Sequence, residues 1–374
     1  MSAGQAITAA SGSRRLSVPR DPVRALQHVL YRAAKADPGR RFHALMDKVY
    51  RRDVLQRAWV TVRANNGAPG IDRTTLAEVE EYGIARLLDE LAAELREGRY
   101  RPLPARRVLI PKPGVRDEWR PLSIPAVRDR VVQAALKIVF EPVFEADMLD
   151  CSFGFRPRRS AHDALQVLID EQAKGRRWVV ETDIASCFTA IPHDELMRAV
   201  EERVCDRTVL KLLRQILRAG VMQDGQVRRE VTGSPQGGVI SPVLCNVYLH
   251  RLDRAWDEAD GVLVRYADDL IAMCWSRSQA ERALARLTEL LAGLGWSPRR
   301  PRPASSIWRS VGRAWISLGS ITGLSDPEAS TGNVALCSSR AGPRTRPCGM
   351  PATGSGRSPT GAGCRDGRRR SRRT

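Results

Sequence analysis

Two adjacent aspartates, Asp268 and Asp269, sit in the middle of "VLVRYADDLIAM" (residues 262–273), with Val262, Leu263 and Val264 before them and Leu270, Ile271 and Met273 after. Carboxylates repel one another and resist leaving water, so a pair inside an apolar run needs a reason. A tight hairpin supplies one. It holds both acids at a tip while the flanks anchor in a sheet, and divalent cations relieve the repulsion. Taken alone, the pair equally suits a solvated turn. A second stretch, "VVETDIASCF" (179–188), places Asp183 at the end of an apolar run and before Ile184. Three carboxylates from two neighbouring strands could bind two Mg²⁺ ions roughly 4 Å apart, the arrangement that activates a 3′-hydroxyl and stabilises a leaving pyrophosphate. By itself Asp183 also reads as a strand-end carboxylate capping a helix. Phe188, five residues on, could pack beneath a nucleotide sugar or belong to ordinary core.

Other stretches could serve the same chemistry. "GSPQGGVISP" (233–242) has small residues that let a nucleotide or template backbone approach closely, with Gln236 as a side-chain hydrogen bonder. A plain helix-entry turn explains it equally well. "LIPKPGVRDEWRPLSIP" (109–125) offers Lys112 and Arg120 as cations for a triphosphate, although charges in Pro-rich loops are usually solvated. His162 and His193 lack metal-ligand spacing and read as structural.

The elements that must position these groups are legible in outline. Helical patterns fill 22–100, interrupted by the turn signal "NNGAPGID" (65–72), and "LAEVEEYGIARLLDELAAELREG" ends on Gly98, a C-cap. "RRVLIPKPG" reads as a strand closed by Pro and Gly. "RDRVVQAALKIVFEPVFEADM" reads as a long helix, "WVVETDIASCF" as a strand after a loop and a helix, and 262–273 as strand, turn and strand. "SQAERALARLTELLAGLG" is an amphipathic helix with a capping box of Ser278 and Glu281 and a stripe of Leu284, Leu287, Leu291 and Leu294. Helices and strands mix without a repeat, which predicts an α+β fold.

Composition narrows the partners. At 374 residues and 43% hydrophobic content the chain can build a substantial core. No run is long and apolar enough for a membrane span, and the N-terminus has no secretory h-region. Eight cysteines occur singly, which disfavours zinc knuckles and disulfide scaffolds and suits a reducing cytoplasm. A formal charge of +19 points to a polyanion. Residues 298–374, with fifteen Arg against three acids, carry +12 of it, leaving +7 on the first 297 residues.

In order and spacing, "NNGAPGID", "LIPKPG…RPLSIP", "SFGFRPRRSAHDAL", "ETDIASCF…IPHDEL", "GSPQGGVISPVLCNVYLHRLD" and "RYADDL" resemble the reverse transcriptases encoded by bacterial group II introns. The resemblance runs over roughly residues 42–297. It implies a right-hand fingers–palm fold with a central antiparallel sheet and Mg²⁺-dependent, RNA-templated DNA synthesis using dNTPs and a DNA or RNA primer. It also implies binding to the parent intron RNA for splicing and mobility. The division it suggests is a flexible lead and helix (1–41), an N-terminal fingers extension (42–90), a fingers and palm domain (91–297) and a basic tail (298–374). Asp183, Asp268 and Asp269 would form the catalytic, metal-binding triad, with the Ile184 backbone as a further ligand. Lys112, Arg120, Phe188 and Gln236 would contact the nucleotide, Phe188 excluding a 2′-hydroxyl, and Tyr266, Gly237 and Arg156 would face template or primer. Rival expectations are a retron-like or defence-associated reverse transcriptase, or a splicing cofactor that binds intron RNA without catalysis. DNA cleavage is not expected, because no His-rich nuclease module is visible. The sequence is silent on which intron is bound and on oligomeric state.

Two departures from the resemblance stand out. Thr189 follows Phe188 where the family usually has Asp. Beyond Trp296, no thumb or maturase region is legible, and Arg, Pro, Ser and Gly dominate, so weak or absent processive synthesis is expected even with the metal site intact. Codon degeneracy suggests an out-of-frame, disordered tail. Read from the third base of each codon, 297–308 can spell Pro-Glu-Lys-Thr-Lys-Thr-Arg-Leu-Val-Asp-Leu, and 314–322 can spell Leu-Asp-Phe-Phe-Gly-Phe-His-His, restoring two family motifs in one frame.

Overall fold

A computed structural model describes residues 21–111, 119–184, 187–223, 225–228, 232–233 and 237–296. The tail beyond Trp296, together with Lys112 and Gln236, lies outside the described residues, and of Phe188 and Thr189 only the backbone is described.

Five helices open the chain: α1 (Pro22–Ala36), α2 (Met46–Val49), α3 (Arg52–Ala64), α4 (Leu76–Tyr82) and α5 (Ile84–Arg96). The 76–98 pattern is therefore two helices. Gly83, at φ 104°, breaks it in a conformation that costs an L-residue dearly, and Gly98 (φ 70°) follows the α5 C-cap as its spacing predicts. Strands β1 (Ala105–Pro111) and β2 (Trp119–Ile124) form an antiparallel pair, after which comes α6 (Val127–Glu145). Helix α6 is the spine of the core, with Val131, Ala135, Leu136, Val139, Phe140 and Val143 excluded from solvent. It packs against α1 and α3 on one side. On the other, Gln133 Oε1 accepts from Val239 N at 2.9 Å and ties that residue to the helix.

The "NNGAPGID" turn is clamped to this spine. The Ala68 carbonyl accepts from Arg130 (2.6 Å), the Pro69 carbonyl accepts twice from Arg106, and Gly70 lies against the Ala126 backbone. A Cβ at residue 70 would stand 2.5 Å from Ala126 Cα and 2.6 Å from its nitrogen, neither of which can yield as a side chain does. Gly70→Ala is expected to cost about 3 kcal/mol, the upper end of overpacking, measured by urea unfolding.

The chain continues through α7 (Ala161–Lys174), β3 (Trp178–Asp183), α8 (Cys187–Ala190), α9 (His193–Glu201), α10 (Arg207–Arg218), β4 (Val221–Gln223) and β5 (Gln226–Arg228). Last come α11 (Ser241–Ala255), a single 3₁₀ turn at Glu258–Asp260, β6 (Val262–Tyr266), β7 (Asp269–Cys274) and α12 (Arg277–Gly293). Two sheets result. One is mixed, in order β2-β1-β4-β5, with β1 and β4 parallel. The other is antiparallel, in order β3-β7-β6. The α+β class is as the sequence predicts, while the described sheets together are mixed rather than one central antiparallel sheet.

One carboxylate ties the N-terminal helices to the later ones. Asp206 is buried; its Oδ1 accepts from Thr208 N and Val209 N at the start of α10, and its Oδ2 from Leu45 N and Met46 N at the start of α2. Four helix-end amides that would otherwise be orphaned share one side chain. Asp206→Ala is expected to destabilise the fold by about 2–4 kcal/mol, and Asp206→Asn to recover part of that, both read from denaturation midpoints.

At the far end, α12 is capped by Ser276, whose side chain accepts from Gln279 N. The cap thus lies two residues before Ser278, which bonds the Ser276 hydroxyl, while Glu281 pairs with Arg277. Leu287 and Leu291 of the predicted stripe are buried, and Leu284 and Leu294 pack at its margin. Trp296 closes the core edge-on against Tyr248, ring centroids 5.2 Å apart. No helix among the described residues is long and apolar enough to cross a membrane.

Candidate active site

The three aspartates lie at one end of the antiparallel sheet. Strand β3 is apolar through Val179 and Val180 and pairs with β7 along its whole length, bringing Asp183 opposite Asp269. Opposite residues of an antiparallel pair share a face. Past the last pair, Ile184 N donates to the Asp268 carbonyl at 3.1 Å, so the chain leaving β3 is stitched to the hairpin turn. Strands β6 and β7 are joined by Ala267 and Asp268, and Tyr266 stands opposite Asp269 across the hairpin. Ala267 adopts φ 57°, a left-handed conformation unusual for a residue with a side chain.

The electrostatics are those of acids held against their preference. Burial pushes the Asp268 carboxyl above its usual range; a backbone hydrogen bond and the Arg120 guanidinium pull it down, and the charge of Asp183 pushes it further up. Burial also drives Asp269 up to about 7, with the charges of Asp268, Asp183 and Glu181 adding to it. Arg120 projects from the exposed start of β2, and its charge acts on Asp268.

The other predicted residues are placed as follows. Ile184 is buried directly after Asp183. Phe188 lies on α8, the short helix that follows β3. Gly237, at φ 108°, is backed onto β2, where a Cβ would overlap the Ser123 carbonyl, so the absence of a side chain there has a packing reason. Tyr266 is partly buried against the smaller apolar cluster that includes Phe153, Val264 and Ile271. Arg156 makes its described hydrogen bonds within the fold. It is 9% exposed, with its guanidinium on the Glu145 carboxylate (2.7–3.2 Å) and on the Leu149 and Ser152 carbonyls, which commits it to the fold. His193 is structural as expected, its Nε2 bonded to the Gly233 carbonyl.

The support behind the hairpin is not legible in the sequence. Arg265 is completely buried with Asp253, paired through Nε–Oδ1 (2.7 Å) and Nη2–Oδ2 (2.6 Å). An arginine in a strand next to two aspartates reads as a surface charge; only its position in an otherwise apolar run hints at burial.

The donor set suits hard divalent cations. Ionised carboxylates confined together in a partly buried place are relieved by Mg²⁺, which favours oxygen ligands. Among the described residues, no group of three His, Cys, Asp or Glu side chains already stands at metal-holding geometry. The fit therefore rests on donor chemistry and on the strand register.

Residues 110–297 match the family model for reverse transcriptase (RNA-dependent DNA polymerase). The chain belongs to that family. Its reverse transcriptase domain is homologous to those of group II intron-encoded proteins. It is 36% identical over 215 residues to Group II intron-encoded protein LtrA of Lactococcus lactis subsp. cremoris, covering 57% of this chain and 35% of that one. It is 35% identical over 209 residues to an uncharacterized 91 kDa protein in a cob intron of Schizosaccharomyces pombe, covering 55% and 25%. Protein YkfC of Escherichia coli (strain K12) is 39% identical over 235 residues, 61% of each chain. The matched region thus spans less than two thirds of each of these relatives.

Proposed function

We propose that this chain is an RNA-directed DNA polymerase of the group II intron type, with fingers and palm formed by residues 91–297 and an N-terminal extension over 42–90. The observation that carries the reading is the register of β3 on β7, which sets Asp183 opposite Asp269 and ties Ile184 to the Asp268 backbone. Asp183, Asp268 and Asp269, with the Ile184 carbonyl, would hold two Mg²⁺ ions. When bound, such ions activate a primer 3′-hydroxyl and stabilise the departing pyrophosphate.

The remaining roles fall to side chains around the triad. Arg120, already close enough to act on Asp268, and Lys112 bind the triphosphate of an incoming dNTP through charge-assisted hydrogen bonds. Phe188 packs under the sugar and rejects a 2′-hydroxyl, and Gln236 hydrogen-bonds the nucleotide. Tyr266 and Gly237 face the template–primer. The surface binds RNA through phosphates, and the relatives encoded in group II introns point to the parent intron RNA as the partner.

A primer-extension assay tests the proposal. The purified full chain, given an RNA template, a DNA primer, dNTPs and Mg²⁺, is expected to extend the primer in short, non-processive additions, with extension abolished by EDTA. No incorporation under any divalent metal would contradict it.

A further inference from the structure

We propose that Arg265 is a positioning residue for the metal-binding carboxylates, acting through the backbone of the turn that carries Asp268; the inference rests on the polymerase reading above. The guanidinium is 0% exposed and all its directions are used. Beyond the two bonds to Asp253, Nη2 donates to Ser152 Oγ at 2.7 Å, and Nη1 donates to Asn246 Oδ1 at 2.9 Å and to the Ala267 carbonyl at 3.0 Å. The last bond grips the peptide that leads directly into Asp268.

The turn is held from a second direction. Gly154 lies so close to Ala267 that a Cβ would overlap the Ala267 nitrogen and stand 3.0 Å from its Cα and Cβ. Asn246 joins the two supports, its Nδ2 donating to the Gly154 carbonyl at 2.8 Å while its Oδ1 takes Arg265. Ala267, in its left-handed conformation, is thus fixed between a guanidinium and a glycine backbone.

Chemistry explains why such a brace exists. A buried ion pair is a poor means of gaining stability, because desolvation cancels much of its attraction. Its worth here is geometric. Carboxylates that repel one another would swing apart without a metal, and a fixed turn keeps their backbone in place before the cation arrives. Asp253 neutralises the guanidinium, so Arg265 braces without competing with the cation for the carboxylates.

The test is Mn²⁺ binding by the full chain, read from the loss of the free Mn²⁺ electron paramagnetic resonance signal, alongside thermal unfolding without metal. Arg265→Lys keeps the charge but cannot make all these contacts. Asn246→Ala cuts the link between the two supports and leaves the Arg265–Asp253 pair intact. Both are expected to weaken Mn²⁺ binding about tenfold, and Asn246→Ala to stay cooperatively folded with its melting temperature lowered by roughly 5–10 °C for the two buried groups it leaves unpaired. Wild-type affinity in a folded variant of either kind overturns the proposal. So does loss of fold in both, which would make the network purely structural. If the wild type itself shows no Mn²⁺ binding that Asp268→Asn removes, the reading of the triad fails first, and that outcome is distinct from a failure of the brace.

Discussion

Asp268→Asn is expected to reduce Mg²⁺-dependent nucleotide incorporation about a thousandfold while leaving the metal-free protein at least as stable as the wild type. The first effect follows from losing a metal ligand, since transition-state stabilisation by a bound cation amounts to several kcal/mol and each 1.36 kcal/mol is tenfold in rate. The second follows from the electrostatics. Asp268 is disfavoured as an anion by burial and by Asp183, and it in turn raises Asp269. A neutral amide of the same shape removes that repulsion. In EDTA the variant should melt at the wild-type temperature or a few degrees above it, and saturating Mg²⁺ should raise the wild type more than the variant. Loss of activity with loss of fold would make Asp268 a structural residue; retained activity would remove it from the site.

The second large effect is on stability. Asp253→Ala leaves Arg265 fully buried without its counter-charge, and breaking such a pair from one side typically costs about 3–5 kcal/mol. At roughly 2–4 °C per kcal/mol for a chain of this size, the melting temperature should fall by about 10 °C. Replacing both partners, Asp253→Leu with Arg265→Met, is expected to recover only part of the loss. Two of the five guanidinium bonds go to Asp253, while the other three satisfy Ser152, Asn246 and the Ala267 carbonyl, which the double variant leaves unpaired. Calorimetry of the two variants decides the matter. Full recovery in the double variant would mean that those three contacts contribute little.

Local features are the ones legible in the amino-acid sequence. The hairpin is legible because apolar residues flank two acids on both sides and leave no other place for the turn. Helix α12 is legible from its leucine spacing, but its cap falls two residues from the expected one because Ser276 and Ser278 are chemically alike and only backbone geometry separates them. Strands β4 and β5 leave no signal: they are three residues each, and β5 is exposed throughout, so no alternation marks it. The break at Gly83 is hidden in a continuous helical pattern, since one glycine does not announce which helix it ends. The brace is invisible for a different reason. Arg265 meets Asp253 twelve residues away and Ser152 one hundred and thirteen away, and nothing in a linear pattern couples them. Likewise Asp206 looks like an ordinary N-cap of α10, and its grip on Leu45 and Met46 comes only from the tertiary fold.

The central claim is that Asp183 and the Asp268–Asp269 hairpin serve one metal site. Crystals of the full chain grown with Mn²⁺, and the ion located by its anomalous scattering, test this most directly. Mn²⁺ is expected on carboxylate oxygens from Asp183 together with at least one of Asp268 and Asp269. Mn²⁺ bound to the hairpin with Asp183 turned away, or found only elsewhere on the protein, would contradict the claim.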